Sequence, residues 1–376
     1  MLKQFFTAAG RFFKRSDIYV IALSLICTVF GLILVASATK SHDTGRFLIV
    51  QSGSALLGVF IFIIISLMDI NSISGGWKTV LVLNLLLIAS LFIFGVGGES
   101  TGNRSWIRFF GIGIQPAEIG KLLFIISLNG HINELRDKIT TFGALVQLTI
   151  HMLLVVSMII LASSDIGMAT VYVFIFFVML LIAGIRLRWF IFATAGLGAA
   201  LPVVWNFLLS ERLKTRFAVL LNPELDPLNH GYNALQSKIA IGSGQRFGLG
   251  LFNGIRTQHS ILPAKQTDFI FSVAAEELGM LGAMLILGLL VFLILRCMHI
   301  ATKSDYDTGK LIVVGIAAML MFQVFFNIGM CMGLLPIVGL TLPFFSYGGT
   351  SLVTMFAAVG LVNSVCMHAP TKWATR

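Results

Sequence analysis

Residues 18–38 read IYVIALSLICTVFGLILVASA, without one charged side chain. A helix needs about 20 apolar residues to cross a hydrocarbon core about 30 Å thick, so this stretch is a membrane span. Lys3, Arg11, Lys14 and Arg15 precede it. The run is longer than a signal-peptide core and no small-residue cleavage site follows, so it is read as the first helix rather than a removed leader. Working outward with the same ruler, apolar runs near 47–68, 77–97, 114–131, 142–162, 167–185, 189–209, 269–295, 311–332 and 350–367 predict ten spans in all. The run at 114–131 is the least regular, because Gln115, Pro116, Glu118 and Lys121 open it as a polar mouth or a re-entrant segment.

Composition points the same way. Of 376 residues 57% are hydrophobic and 11% charged, against about 25% charged in an ordinary soluble domain, and mean hydropathy is +0.95. Too few polar groups exist to clothe a water-exposed surface, which excludes a soluble enzyme, a disordered chain and a fibrous repeat. The expected fold class is an all-α polytopic membrane protein, a single integral domain over 1–376.

The net charge of +10 is read through its distribution, not as nucleic-acid binding. Fourteen Lys and Arg flank the spans on the N-terminal side, against Lys40, Arg46, Arg104 and Arg108 in the short loops opposite. The excess of short-loop cations marks the cytoplasmic face. Both termini are therefore expected there, 1–17 as a basic, Phe-rich segment against anionic lipid and 368–376 as a short tail. Cys27, Cys297, Cys331 and Cys366 form no C-x-x-C pair and are expected as free thiols.

One long outward loop, 210–268, separates the seventh and eighth spans. It carries Arg212, Lys214, Arg216, Lys238, Arg246, Arg256 and Lys265 against few acids, which suits an anionic ligand at the membrane surface, and five glycines between 242 and 254 read as pliability. Loop 333–349 has no charge and several Pro and Gly, as expected of an ordered plug.

Ionisable groups at membrane depth are expensive and need partners. Glu118 and Lys121 share a helix face, either as a self-neutralising ion pair or as a cation at the outer mouth of a cavity. Asp165, in Ser163-Ser164-Asp165-Ile166-Gly167, is a helix N-cap or a site residue. Asp268 stands just before the apolar run from 269 and has the same two readings. The adjacent Glu276 and Glu277 are expected on different faces, one of them against a polar partner. No Walker A sequence, H-E-x-x-H, G-x-S-x-G or dinucleotide fingerprint occurs.

Four segments in order give a more specific reading. They are Arg104-Ser105-Trp106-Ile107 through Gln115-Pro116-Ala117-Glu118-Ile119-Gly120-Lys121; Asn222-Pro223-Glu224 with Asp226-Pro227 and Gln236-Ser237-Lys238-Ile239-Ala240-Ile241-Gly242-Ser243-Gly244; Thr267-Asp268-Phe269 with Glu276-Glu277-Leu278-Gly279; and Asn327-Ile328-Gly329 through Gly333-Leu334-Leu335-Pro336 to Leu342-Pro343-Phe344-Phe345-Ser346-Tyr347-Gly348-Gly349. Together they resemble the SEDS family (shape, elongation, division and sporulation), the membrane glycosyltransferases that polymerise lipid II into glycan strands. The second segment is similar to elongation-type members, whereas Leu340-Thr341-Leu342-Pro343 is similar to the division type. Ser164 stands where the family has proline before the aspartate.

The resemblance implies a multi-pass protein of the bacterial inner membrane, with Asp268 as the catalytic aspartate. Glu118, Lys121, Asp165, Gln236, Ser237, Lys238 and Arg246 are the expected substrate-binding residues. It also implies lipid II as substrate, a class B penicillin-binding protein as partner, membrane lipid around the chain, no nucleic acid and no organic cofactor; a divalent cation, Mg or Mn, is a candidate on the diphosphate. A sugar joined to lipid through diphosphate has a good leaving group, so one carboxylate acting as base suffices where hydrolytic glycosidases use two. A lipid II flippase and a scaffold that only anchors a partner are the competing readings.

Overall fold

The computed structural model describes residues 12, 14–41, 44–69, 75–97, 104–109, 112–186, 188–189, 211–222, 225–227, 230–304 and 307–368. Apolar runs become helices where caps and breakers permit. The first, α1 (Ile18–Ala38), starts at Asp17, whose carboxylate accepts from the Val20 amide. There follow α2 (Thr44–Leu67), α3 (Trp77–Phe94), α4 (Pro116–Glu134) with proline in its first turn, α5 (Phe142–Ser163) capped by Thr141, and α6 (Ile166–Ile182) capped by Asp165. Beyond them lie α7 (Glu211–Leu221), α8 (His230–Ser243), α9 (Ile255–Gln258), α10 (Ile270–Lys303), α11 (Asp307–Cys331) and α12 (Gly349–His368).

Seven of the described helices are long and apolar enough to cross a membrane. The expected span at 189–209 falls almost wholly outside the described residues, as do residues 1–11 and 13 of the expected tail 1–17 and all but His368 of the expected tail 368–376. The uncertain run at 114–131 is one continuous helix, and α3, α6, α11 and α12 surround it. That position explains its polar content, because Glu118 and Lys121 face protein rather than lipid. The all-α expectation holds, with one small addition. Before α4, β1 (Ile107–Phe109) and β2 (Ile112–Ile114) pair antiparallel, and Val96 bridges to Trp106. The pair lies at the end of the bundle where α3 finishes and α12 begins, with the Gly113 carbonyl accepting from the Thr350 hydroxyl.

Lipid-facing and interior helices divide clearly. On α2 and α3 Leu56, Leu86 and Ile93 are exposed, whereas α12 is buried along almost its whole length and packs against α2. All four cysteines are free thiols.

The loop expected at 210–268 is largely helical and fastened to α10. At Gly279 (φ 69°, ψ −166°) α10 is broken, and the freed amides of Met280 and Leu281 donate to the carbonyls of Gln245 and Arg246. In return Leu249 and Gly250 donate to the carbonyls of Glu276 and Glu277. A broken helix is tolerated in an apolar setting only when protein re-satisfies its backbone in this way. The loop glycines therefore mark close approach rather than pliability: a Cβ on Gly248 or Gly279 would collide with the opposing backbone, and both have positive φ.

Candidate active site

Asp268 lies at the end of the loop, just before α10. The helix is capped at Phe269 and the Asp268 carboxylate bonds none of its first amides, which removes the capping explanation. Its surroundings are built by the plug. The Tyr347 amide donates to the Gln266 carbonyl, the Ser346 hydroxyl to the Thr267 carbonyl, and the Asn327 side-chain amide to the carbonyls of both Asp268 and Leu340. A Cβ on Gly339, where φ is +70°, would lie 3.6 Å from a carboxylate oxygen of Asp268. The aspartate is half-buried against this turn. Burial pushes its carboxyl up to about 6, helped by the charge of Asp165; a hydrogen bond with Thr267 and the Arg216 guanidinium act the other way. A carboxylate tuned toward the working pH is suited to general-base chemistry.

Asp165 caps α6 through the Met168 amide (3.0 Å) and accepts from the Ser105 hydroxyl (3.3 Å). Burial pushes its carboxyl up as well. The N-terminal turn of α6 presses Gly167 against the Val338 carbonyl, next to Gly339. One turn of the plug therefore touches both aspartates' neighbourhoods, which the sequence keeps about a hundred residues apart.

Other expected site residues take different positions. Ser237 is fully buried and joins three elements, with its hydroxyl 2.6 Å from both the Ser272 hydroxyl and the Cys331 carbonyl. Gln236 accepts from the Arg256 guanidinium. Lys238, one step along α8, is exposed and crosses over Gly333 toward Arg216. Arg246 packs its carbonyl beside Gly279 and Leu281, at the break in α10.

Glu118 and Lys121 form a 2.9 Å ion pair with side chains 1% and 0% exposed. The pair is sealed inside the bundle, not placed at an outer mouth, because α4 is the central helix and turns this face inward. Among the described residues neither side chain has a hydrogen-bonding partner beyond the other. The two glutamates of α10 also differ from expectation, since both are buried and both bind the same loop. Glu276 accepts from the Arg256 and Thr257 amides and the Thr257 hydroxyl; Glu277 accepts from the Ser37 hydroxyl, the Phe252 and Gly254 amides and the Gln258 side chain. The loop wraps around the helix to reach both faces.

Sequence reasoning missed two residues of the site. Asn327 was legible only as part of a motif, and Arg216 only as one basic residue among seven.

Carboxylates and cations gathered at one end of a polytopic helical bundle are the make-up of a membrane enzyme rather than of a simple anchor. The family model described as "Cell cycle protein" (FtsW, RodA, SpoVE) matches residues 17–371, and the chain belongs to that family. It is 33% identical over 359 residues to the probable peptidoglycan glycosyltransferase FtsW of Geobacter sulfurreducens, covering 94% of this chain and 95% of that one. It is 31% identical over 352 residues to the peptidoglycan glycosyltransferase MrdB of Escherichia coli, covering 94% of each. A solved chain from a peptidoglycan synthase complex that coordinates polymerization and crosslinking superposes with a TM-score of 0.81 at 29% identity, covering 93% of this chain and 97% of that chain.

Proposed function

We propose that the chain is a peptidoglycan glycan-strand polymerase of the bacterial inner membrane, joining the disaccharides of lipid II through β-1,4 links in cell elongation. The observation that carries this reading is the uncapped, half-buried carboxylate of Asp268 at the outer end of α10. A ruler along that helix supports it. Arg296, bound to Asp17 at the opposite end, is about 24 Å from Met280 along the unbroken part of α10 at 1.5 Å per residue, most of a hydrocarbon thickness, and Asp268 stands beyond the break. That height suits a sugar whose lipid diphosphate lies at the headgroup level.

In the reaction Asp268 takes the proton from the acceptor's 4-hydroxyl as its oxygen bonds the donor's anomeric carbon. The bond from that carbon to the phosphate oxygen breaks, and the electron pair leaves on the diphosphate. Base assistance of this kind contributes about 10²–10⁴-fold. Asp165 shapes the field on Asp268 and caps α6 through the Met168 amide. We assign a magnesium or manganese ion to the incoming diphosphate, whose oxygens are hard ligands suited to it. The sealed Glu118–Lys121 pair argues against the flippase reading, which needs a polar path through the bundle. A class B penicillin-binding protein that crosslinks the product is the proposed partner, in line with the synthase complex in which the structural neighbour was solved.

The test is purified protein with lipid II, read as polymer on a gel. Wild type makes glycan strands and a normally inserted Asp268→Asn protein loses at least 100-fold in rate. Full-rate synthesis by that variant ends the assignment.

A further inference from the structure

Two imidazoles face each other on the cytoplasmic side of the bundle, far from Asp268. Nδ1 of His131, in the last turn of α4, stands 3.1 Å from Nδ1 of His151 on α5. The two residues are 7% and 2% exposed, and Nε2 of His151 lies 3.2 Å from the hydroxyl of buried Ser127. Trp77, at the start of α3, stacks over both rings, with centroids 4.1 Å from His131 and 5.7 Å from His151. Its indole N–H donates to the Glu134 carboxylate (2.6 Å), which holds this cover in place.

The hydrogen bonds assign the ring protons. Ser127 spends its one hydroxyl hydrogen on the Phe124 carbonyl (3.2 Å), so toward His151 it only accepts, and His151 carries its proton on Nε2. The Nδ1 lone pair of His151 then accepts from Nδ1–H of His131. Of the four ring nitrogens only Nε2 of His131 takes a proton without breaking one of these bonds. The closed pair therefore holds one added proton at most, because a second would set two N–H groups against each other. Neighbouring charge does not lift that limit. Glu134 on α4 and Lys78 on α3 act on His131 with opposite signs and are themselves paired at 3.6 Å. From α5 comes His151 itself, and among the described residues no charged group of α6, α11 or α12 acts on either ring.

We infer that the His131–His151 pair is an acid-operated latch on the cytoplasmic end of α4. Closed, it binds one proton at most; opened to water, it binds two, each ring with the ordinary imidazole value of about 6.5. The state that binds more protons gains as pH falls, so acid favours opening by about tenfold or more for each unit below that value. Opening lifts Trp77 from the rings and loosens the junction of α3, α4 and α5, which makes the firmness of the inner end depend on cytoplasmic pH. The latch is independent of the polymerase reading.

The test is nitrogen-15 NMR of the full-length protein in detergent with labelled histidine, from pH 8 to pH 5, with the melting temperature followed alongside. At pH 8 the expected tautomers are Nε2–H for His151 and Nδ1–H for His131. On acidification both rings are expected to gain charge in one step, steeper than a single-site curve, and the melting temperature to fall with it. His131→Asn keeps an N–H donor toward His151 but does not titrate, so the step becomes shallower and the fall in melting temperature at least halves. His299→Asn, at an exposed histidine of α10, changes neither. Two separate single-site titrations, or the opposite tautomers at pH 8, overturn the latch from the wild-type spectra alone. A fall in melting temperature as large in His131→Asn as in wild type overturns it as well.

Discussion

Two pairs of buried ionisable groups lie in this bundle and they are treated in opposite ways. Glu276 and Glu277 are like charges side by side, yet the 252–258 segment and Ser37 surround them with hydrogen-bond donors, and the Lys265 ammonium adds charge nearby. Glu118 and Lys121 are opposite charges that meet only each other among the described residues. Carboxylates saturated by hydrogen-bond donors hold a fold together, because the donors they satisfy tie one loop, and through Ser37 also α1, to α10. An ion pair with no other partners contributes little net stability, since desolvation offsets the attraction.

The sharpest way to break this comparison is Glu277→Ala. It leaves two backbone amides, a hydroxyl and a side-chain amide unsatisfied, and is expected to cost about 4–5 kcal/mol or prevent insertion, seen as a lower melting temperature in detergent. Lys121→Met strands one buried carboxylate and is expected to cost about 3 kcal/mol, while the double variant Glu118→Gln/Lys121→Met recovers most of the loss. A double variant no more stable than Lys121→Met would show that the pair is held by something besides itself. The third effect is on rate. With the Asp268 carboxyl raised to about 6, the deprotonated base is present above that pH, so polymerisation is expected to fall about tenfold per unit below pH 6 and to level off above pH 7. A flat profile from pH 5 to 8 would contradict the base role. Smallest is Ser37→Ala, which removes one of several donors to Glu277 and is expected to cost about 1 kcal/mol by the same melting measurement.

Much of this architecture was legible in the chain because apolar length is a local property. The runs at 18–38, 142–162 and 350–367 need no tertiary knowledge to be helices. The fate of Glu276 and Glu277 does need it, since their spacing describes one helix and the loop that encloses both faces arrives from twenty residues upstream. Ser237 is similar: its place in the motif says nothing of the buried junction it makes with Ser272 and Cys331. Arg216 gave no local signal at all, because what distinguishes it from Arg246 is which end of α10 the loop brings it to. Asp268 was legible as a candidate, and the structure adds what sequence could not, that Phe269 rather than Asp268 caps the helix.

Asn327 has two amide hydrogens and gives one each to the carbonyls of Asp268 and Leu340. It is a buckle joining the strap that carries Asp268 to the strap that carries Gly339. Neither strap can part from the other at this point without breaking one of those two bonds, so beside Asp268 the loop and the plug are fastened into one piece.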